Sequence, residues 1–100
     1  MKNHNYFVYI LTNKNRTVLY TGVTNNLITR LTQLRENKDN TFSFIHRYNC
    51  FYLIYFEKYV YIDLAIQREK KIKGWLRRKK IELIERDIPE WRFLNEEIGL

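Results

Sequence analysis

Two short segments rich in β-branched and aromatic residues, separated by a polar turn, constrain the fold of this chain most. Residues 6–11 and 18–23 have the composition of β-strands, and residues 13–16 (NKNR) have that of a turn. If Lys14 and Asn15 are the central turn residues, antiparallel register places Tyr9 opposite Tyr20. The sequence therefore predicts a β-hairpin that presents two phenols on one face of a sheet.

The periodicity of the rest of the chain predicts one further strand and three helices. The strand is expected at residues 51–57, and the helices at about 26–37, 62–73 and 76–87, with a polar loop after the first. The predicted fold class is α+β, a small three-stranded antiparallel sheet flanked by about three helices. One hundred residues can bury a modest core, so we expect a single domain over residues 1–100.

The charge of the chain is strongly basic and unevenly distributed. The formal net charge is +7, and eight cationic residues fall within residues 68–80. Four consecutive cations at residues 77–80 oppose the positive end of the last predicted helix dipole, and a bound anion would relieve that repulsion. A solvated helical face is the alternative interpretation. We predict phosphate contacts with nucleic acid through Lys70, Lys73, Arg77, Arg78, Lys79 and Lys80.

Cysteine usage and hydropathy predict the compartment. The lone Cys50 allows no internal disulfide, which fits a reducing interior. The first residues have no apolar core like that of a signal peptide, and the longest apolar run, residues 51–56, is too short to span a bilayer. We therefore expect a soluble cytoplasmic protein that does not associate with membranes.

Helical spacing draws attention to Glu69, which falls near the middle of an apolar stripe in the second predicted helix. The stripe is formed by Ile62, Ala65, Ile66 and Leu76. An inward carboxylate needs a metal ion, a cationic partner or a hydrogen-bonded phenol. The spacing alone favours an ion pair with Arg30 or Lys73, because such pairs are the commoner solution, and leaves a metal site as the alternative.

Arg30 lies at the border of the apolar stripe that Leu27, Leu31 and Leu34 form on the first predicted helix. Its stem can pack while its guanidinium reaches the hairpin, and that planar group suits phosphate oxygens. A surface salt bridge is the alternative interpretation.

The chain resembles the GIY-YIG nuclease family, whose two naming motifs are similar to residues 8–10 (VYI) and 20–22 (YTG). The similarity extends over about residues 6–94 and is greatest to the small single-domain, UPF0213-like branch. Further matching segments are residues 25–27, 30–31, 47–49, 65–70, 73–75 and 89–91.

This resemblance implies a metal-dependent endonuclease that hydrolyses DNA phosphodiester bonds, with nicks, branches or repair intermediates as candidate substrates. It implies that Glu69 binds one divalent cation, Mg²⁺ or Mn²⁺, and that Arg30 clamps the phosphate. Tyr9 would accept or relay a proton of the attacking water, and Tyr20 would orient that water or the phosphate. Gly22 would let the backbone approach without a side chain in the way.

Three positions depart from the family pattern, each by loss of a hydrogen-bonding group: Leu34, Ile45 and Ile88. His46 or Tyr48 in the following loop can be considered as a replacement for the group lost at Leu34, although packing is the commoner role of such residues.

Two alternatives to a nuclease therefore remain. The first is a catalytically impaired GIY-YIG-like protein that binds nucleic acid, which the three departures favour. The second is a partner-binding protein whose tail, with Trp91 and Phe93, docks elsewhere, although packing of that tail on its own domain is also possible.

Overall fold

A computed structural model describes residues 5–36 and 43–100, and within them the chain forms three strands and four helices. The elements are β1 (Tyr6–Thr12), β2 (Leu19–Thr24), α1 (Leu27–Glu36), α2 (Ser43–Tyr48), β3 (Tyr52–Tyr59), α3 (Ile62–Lys73) and α4 (Arg77–Asp87). None of the helices in this described part is long and apolar enough to cross a membrane.

The strands form one antiparallel sheet in the order β2-β1-β3, which confirms the predicted α+β class. As the central strand, β1 is covered on both faces, and all its residues from Val8 to Thr12 are buried. The register between β1 and β3 shifts after Ile10, so that Leu11 pairs with Leu53. The hairpin at the start of the chain is therefore the centre of the fold.

The predicted register of the hairpin is wrong by two residues. The turn forms as expected, since the Arg16 amide donates to the Asn13 carbonyl at 3.0 Å. However, the Asn13 side-chain oxygen accepts from the amides of Thr17 and Val18 at 2.7 and 3.2 Å, which withdraws both residues from the ladder. Pairing resumes only with residue 12 opposite residue 19.

As a result, Tyr9 lies opposite Gly22, whereas Tyr20 lies opposite Leu11. Side chains alternate with a period of two along a strand, so a shift by two residues leaves both tyrosines on the same face. The predicted common face of the two phenols is confirmed, but their direct opposition is not.

Two hydrophobic clusters lie on the two faces of the sheet. The Tyr9 face is covered by α1, through Leu27, Leu31 and Leu34, and by Ile45 of α2. The opposite face, which includes Val8 and Ile10, is covered by α3 and α4. The predicted stripe of α1 is confirmed.

Helix α2 lies in a segment that the sequence predicts to be a loop. It is short, but Ile45 is only 1% exposed and His46 Nε2 lies 2.8 Å from the carbonyl oxygen of Leu34, at the end of α1. Tertiary contacts of this kind stabilise helices that are too short to form alone. Residue 37, the predicted end of the first helix, lies outside the described residues.

The predicted apolar stripe of α3 is largely wrong. Ile62, Ile66 and Leu76 are exposed, and the buried apolar residues of the helix are Ala65 and Ile72. Ala65 and Ile72 are seven residues apart and therefore lie on one face of α3. Residues 68 and 69 lie between them on that inward face.

The tail packs on its own domain, which removes the basis of the partner-binding alternative. Phe93 stacks on Tyr52 with ring centroids 4.4 Å apart. Arg16 donates to the Trp91 carbonyl at 2.9 Å and lies 4.1 Å from the Phe93 ring. The Trp91 indole N–H donates to Glu85 at 2.9 Å.

Candidate active site

The buried hydroxyl of Tyr9 is the point at which the predicted site residues meet. Tyr9 is 1% exposed, and Arg30 donates a hydrogen bond to its phenol. Tyr20 and Glu69 are near enough to act on the same hydroxyl electrostatically. The structure therefore brings together Tyr9 from β1, Tyr20 from β2, Arg30 from α1 and Glu69 from α3.

Gly22 is required by the position of the Tyr9 ring. A Cβ atom at Gly22 would lie 2.5 Å from Tyr9 Cζ, and closer still to its hydroxyl. Side chains do not tolerate such contacts in a packed interior. The resemblance implies that Gly22 lets the backbone approach without a side chain in the way, and in the structure the Tyr9 ring occupies the space of the missing side chain.

Tyr9 remains a neutral phenol at physiological pH. Burial raises its pKa to about 12, and the nearby Tyr20 and Glu69 act in the same direction. The charge and hydrogen bond of Arg30 oppose this shift without overcoming it. Tyr9 is therefore suited to donating a hydrogen bond, and it can accept a proton only if further positive charge stabilises the phenolate.

Local structure of α1 determines the position of Arg30. Asn26 caps the helix, since its side-chain oxygen accepts from the amide of Thr29 at 3.0 Å. Leu27 and Leu31 bury the neighbouring face against the sheet, and Arg30 is half-buried at its border. The guanidinium of Arg30 reaches Tyr9 of the hairpin, as predicted.

Glu69 faces inward, and Lys73 is its partner in the structure. The Lys73 ammonium lies 3.1 Å from Glu69 Oε2, and the two side chains are 50% and 14% exposed. Lys73 also lies 5.9 Å from the centre of the Tyr20 ring. The ion pair with Lys73, one of the two partners that the spacing predicts for Glu69, is thus confirmed, and this lysine is part of the site.

The donor set restricts what metal ion this site can hold. Among residues 5–36 and 43–100, no group of three or more histidine, cysteine, aspartate or glutamate side chains is placed to hold a metal ion. Within the described part of the chain, Glu69 is the carboxylate that acts on the Tyr9 hydroxyl. One carboxylate fits a hydrated cation such as Mg²⁺ or Mn²⁺, which keeps several waters and takes other ligands from substrate phosphate.

The six cations predicted to contact phosphate are exposed except Lys80, and one of the exposed ones, Lys79, stacks on an aromatic ring. Lys70, Arg77 and Arg78 are exposed, but Lys80 is half-buried, and the Lys79 ammonium lies over the Trp75 ring at 4.4 Å. Helix α4 begins at Arg77, has no acidic residue in its first turn and has no side-chain cap. The predicted conflict between these cations and the helix dipole is therefore present.

The three departures from the family pattern are buried in the Tyr9 cluster. Leu34, Ile45 and Ile88 are 0%, 1% and 6% exposed and pack in the same cluster as Tyr9. His46 is bonded to a backbone carbonyl and packs against Phe51 at 5.6 Å. The hydrogen-bonding groups lost at these positions are thus replaced by apolar packing, and His46 is held in a structural contact.

An aromatic group beside Tyr20 is absent from the sequence-based prediction. Phe44 lies 5.9 Å from the Tyr20 ring and 4.8 Å from the Tyr48 ring. Phe44 and Tyr48 are four residues apart, a spacing that places them on one face of a helix. This spacing could have indicated the aromatic pair from the sequence, but only if residues 43–48 had been predicted to be helical.

A second half-buried carboxylate lies on the opposite face of the sheet. Glu57 receives two hydrogen bonds from Arg68, both at 2.9 Å, and one each from Tyr55 and Tyr59 at 2.5 and 2.7 Å. Burial acts to raise the pKa of Glu57, but these hydrogen bonds outweigh it and lower the pKa. Both carboxylate oxygens of Glu57 are fully hydrogen-bonded in this network, which connects β3 to α3.

Comparison with known proteins agrees with this geometry. The model of the GIY-YIG catalytic domain matches residues 5–82, and the chain therefore belongs to the GIY-YIG family. It carries a nuclease-type domain, for which nucleic acid is the substrate.

A UPF0213 protein from Bacillus halodurans, solved by NMR in solution, is similar, with 24% identity over 81% of this chain and 83% of that chain and a TM-score of 0.49. No curated protein matches the chain significantly.

Proposed function

We propose that this protein is a metal-dependent endonuclease that hydrolyses phosphodiester bonds in DNA at nicks, branches or repair intermediates. The observation that carries the proposal is the convergence of Arg30, Tyr20 and Glu69 on the Tyr9 hydroxyl. A cationic fork, two phenols and one carboxylate are the groups that phosphate binding and water activation need.

Each side chain has a distinct task in this proposal. Arg30 binds a non-bridging phosphate oxygen and stabilises the negative charge that grows there as water attacks phosphorus. Tyr20 donates to the attacking water or to the phosphate. Tyr9 orients the water and takes a proton from it, while the phenol's own proton passes through solvent to the departing oxygen. Gly22 keeps the Tyr9 ring in place.

Glu69 would hold the divalent cation, which would supply charge stabilisation at the phosphate and at the departing oxygen. Lys73 competes for the same carboxylate in the structure, at 3.1 Å. Because Lys73 is half exposed, its side chain can turn toward solvent or toward a substrate phosphate when Glu69 takes another partner.

Incubation with linear, nicked, flapped and branched DNA tests this function, each with Mg²⁺, Mn²⁺ or chelator. We expect cleavage only with metal, and a loss of about 100-fold or more in Arg30→Ala. Arg35→Ala is the matched control, since it removes the same charge from an exposed position on the same helix. Equal activity of the three proteins would indicate a contaminating nuclease.

A catalytically impaired nucleic-acid binder is the second candidate. The Glu69 ion pair and the apolar residues at Leu34, Ile45 and Ile88 favour it. This candidate predicts salt-dependent DNA binding without cleavage of any substrate in any metal.

A further inference from the structure

Three aromatic rings form a row that begins at the candidate active site. The ring centroids are 5.9 Å apart from Tyr20 to Phe44 and 4.8 Å apart from Phe44 to Tyr48. A cation lies near each end, with Lys73 Nζ 5.9 Å from the Tyr20 ring and the Arg47 guanidinium 5.6 Å from the Tyr48 ring. We call Tyr20, Phe44 and Tyr48 the aromatic row.

The outer two rings are exposed although the helix that carries them is anchored. Phe44 and Tyr48 are 44% and 39% exposed. On the other side of α2, Ile45 is buried and His46 is bonded to the end of α1 at 2.8 Å. The rings are therefore held in place on a fixed helix, with aromatic surface left open to solvent.

We propose that the aromatic row stacks unpaired nucleobases of single-stranded DNA next to the phosphate bound at Arg30. This inference rests on the proposed function for the phosphate and adds the substrate class. A row of aromatic rings with a cation near each end suits a single strand, because each base offers a flat face and each link a negative charge.

The exposed rings select against a continuous duplex. Paired bases already stack on each other and present only their edges in the grooves, so a protein ring reaches a base face only where the base is unpaired. The net charge of +7 and the cations at both ends of the row favour a polyanion over an apolar protein partner. Flaps, overhangs and frayed ends at nicks have such bases.

Binding of labelled DNA to the full chain, measured by fluorescence anisotropy in chelator, tests this without requiring cleavage. The probes are a short single-stranded oligonucleotide and the duplex of the same sequence. Phe44→Leu with Tyr48→Leu keeps apolar side chains but removes both ring faces, whereas Tyr48→Phe keeps the ring. We expect the double variant to lose about 10- to 100-fold in affinity for the single strand and little for the duplex. Tyr48→Phe should bind as the unmodified protein does.

An abasic scan adds a test whose first part uses only the unmodified protein. With one nucleotide at a time lacking its base, the unmodified protein should lose affinity at one or two positions only. The double variant should be insensitive at those positions, which is the signature of coupling between ring and base. A flat scan, a preference for duplex or wild-type affinity in the double variant would each overturn the inference.

The outcomes also separate this inference from the proposed function. Cleavage that depends on Arg30, together with a flat abasic scan, would leave the nuclease proposal intact and remove the stacking site. Position-dependent stacking without cleavage would support the stacking site and favour the impaired binder. If a protein partner bound at the aromatic row and displaced none of the DNA probes, that result would count against the stacking site.

Discussion

The ring of Tyr9 lies directly over the α-carbon of Gly22 on the neighbouring strand, in the space that any other residue at that position would fill with its Cβ. The two residues are cross-strand partners. This pairing sends the phenol toward β2, an outer strand of the sheet, where Arg30, Tyr20 and Glu69 act on it.

Gly22→Ala should therefore displace the Tyr9 ring and disrupt the site. We expect a free energy of unfolding lower by about 1–3 kcal/mol, because the added methyl overlaps a buried ring. Gly74→Ala is the matched control, since a Cβ there meets nothing closer than 3.6 Å and the backbone φ is −78°. It should be neutral or slightly stabilising. Chemical denaturation measures both, and equal effects would contradict the packing argument.

The raised pKa of Tyr9 predicts a loss of stability in alkali. The phenol ionises near its ordinary pKa of 10 in the unfolded chain and near 12 in the folded one, so between these values the folded state binds more protons. Stability attributable to Tyr9 is thus complete below about pH 10 and falls as pH rises toward 12. Tyr55 contributes in the same direction, because its pKa is also raised by burial.

Comparison with Tyr9→Phe isolates the contribution of Tyr9, since the variant keeps the ring over Gly22 but cannot ionise. We expect the unmodified protein to lose stability more steeply above pH 10 than the variant does. Parallel curves would mean that Tyr9 ionises in the folded state as an ordinary phenol.

Glu69→Gln distinguishes a metal ligand from a structural ion pair. Because Lys73 is half exposed, loss of the pair should cost only about 0–1 kcal/mol in chelator. Mg²⁺ or Mn²⁺ should raise the melting temperature of the unmodified protein and leave that of Glu69→Gln unchanged.

Lys73→Gln is the matched control for Glu69, since it breaks the same pair but keeps the carboxylate. It should retain the metal-dependent rise and bind metal as tightly as, or more tightly than, the unmodified protein. Strong destabilisation by Glu69→Gln in chelator, with no metal effect on the unmodified protein, would sink the metal site.

Replacement of Arg77 and Arg78 by glutamine should weaken DNA binding. The slope of log affinity against log salt concentration should fall by about one for each of these residues that contacts a phosphate. Lys79 is left unchanged, because its stacking on Trp75 contributes to packing. Lys14→Gln with Lys58→Gln removes the same charge from exposed positions outside the segment. If both pairs weaken binding equally, net charge rather than this segment controls affinity.

Thr21 and Thr12 should respond oppositely to replacement by valine. Thr21 Oγ1 is the one buried side-chain polar atom without a hydrogen-bond partner in the part of the chain that the structure describes. Thr21→Val should be neutral or stabilising by up to about 1 kcal/mol. Thr12 donates to the Val18 carbonyl at 2.7 Å, so Thr12→Val should cost about 1–2 kcal/mol. Destabilisation by Thr21→Val in thermal melting would mean that its hydroxyl is bonded.

Much of the fold follows from local sequence pattern. β-Branched and aromatic runs gave the three strands, and the leucine spacing gave α1 with Arg30 at its border. The common face of Tyr9 and Tyr20 survives the register error, because alternation along a strand repeats every two residues. The inward direction of Glu69 was also predicted, although most of the stripe that suggested it was misassigned.

Tertiary structure alone decided the features that complete the site. The side chain of Asn13 bonds two backbone amides and so places Gly22, not Tyr20, beside Tyr9. Helix α2 is short, and it is held by Ile45 in the core and by the contact of His46 with α1. Lys73 pairs with Glu69 within α3, as the spacing predicts, but it also meets Tyr20 only because α3 packs beside β2. Local propensity determines which segments become strands and longer helices, whereas hydrogen bonds and packing between distant segments determine which side chains meet.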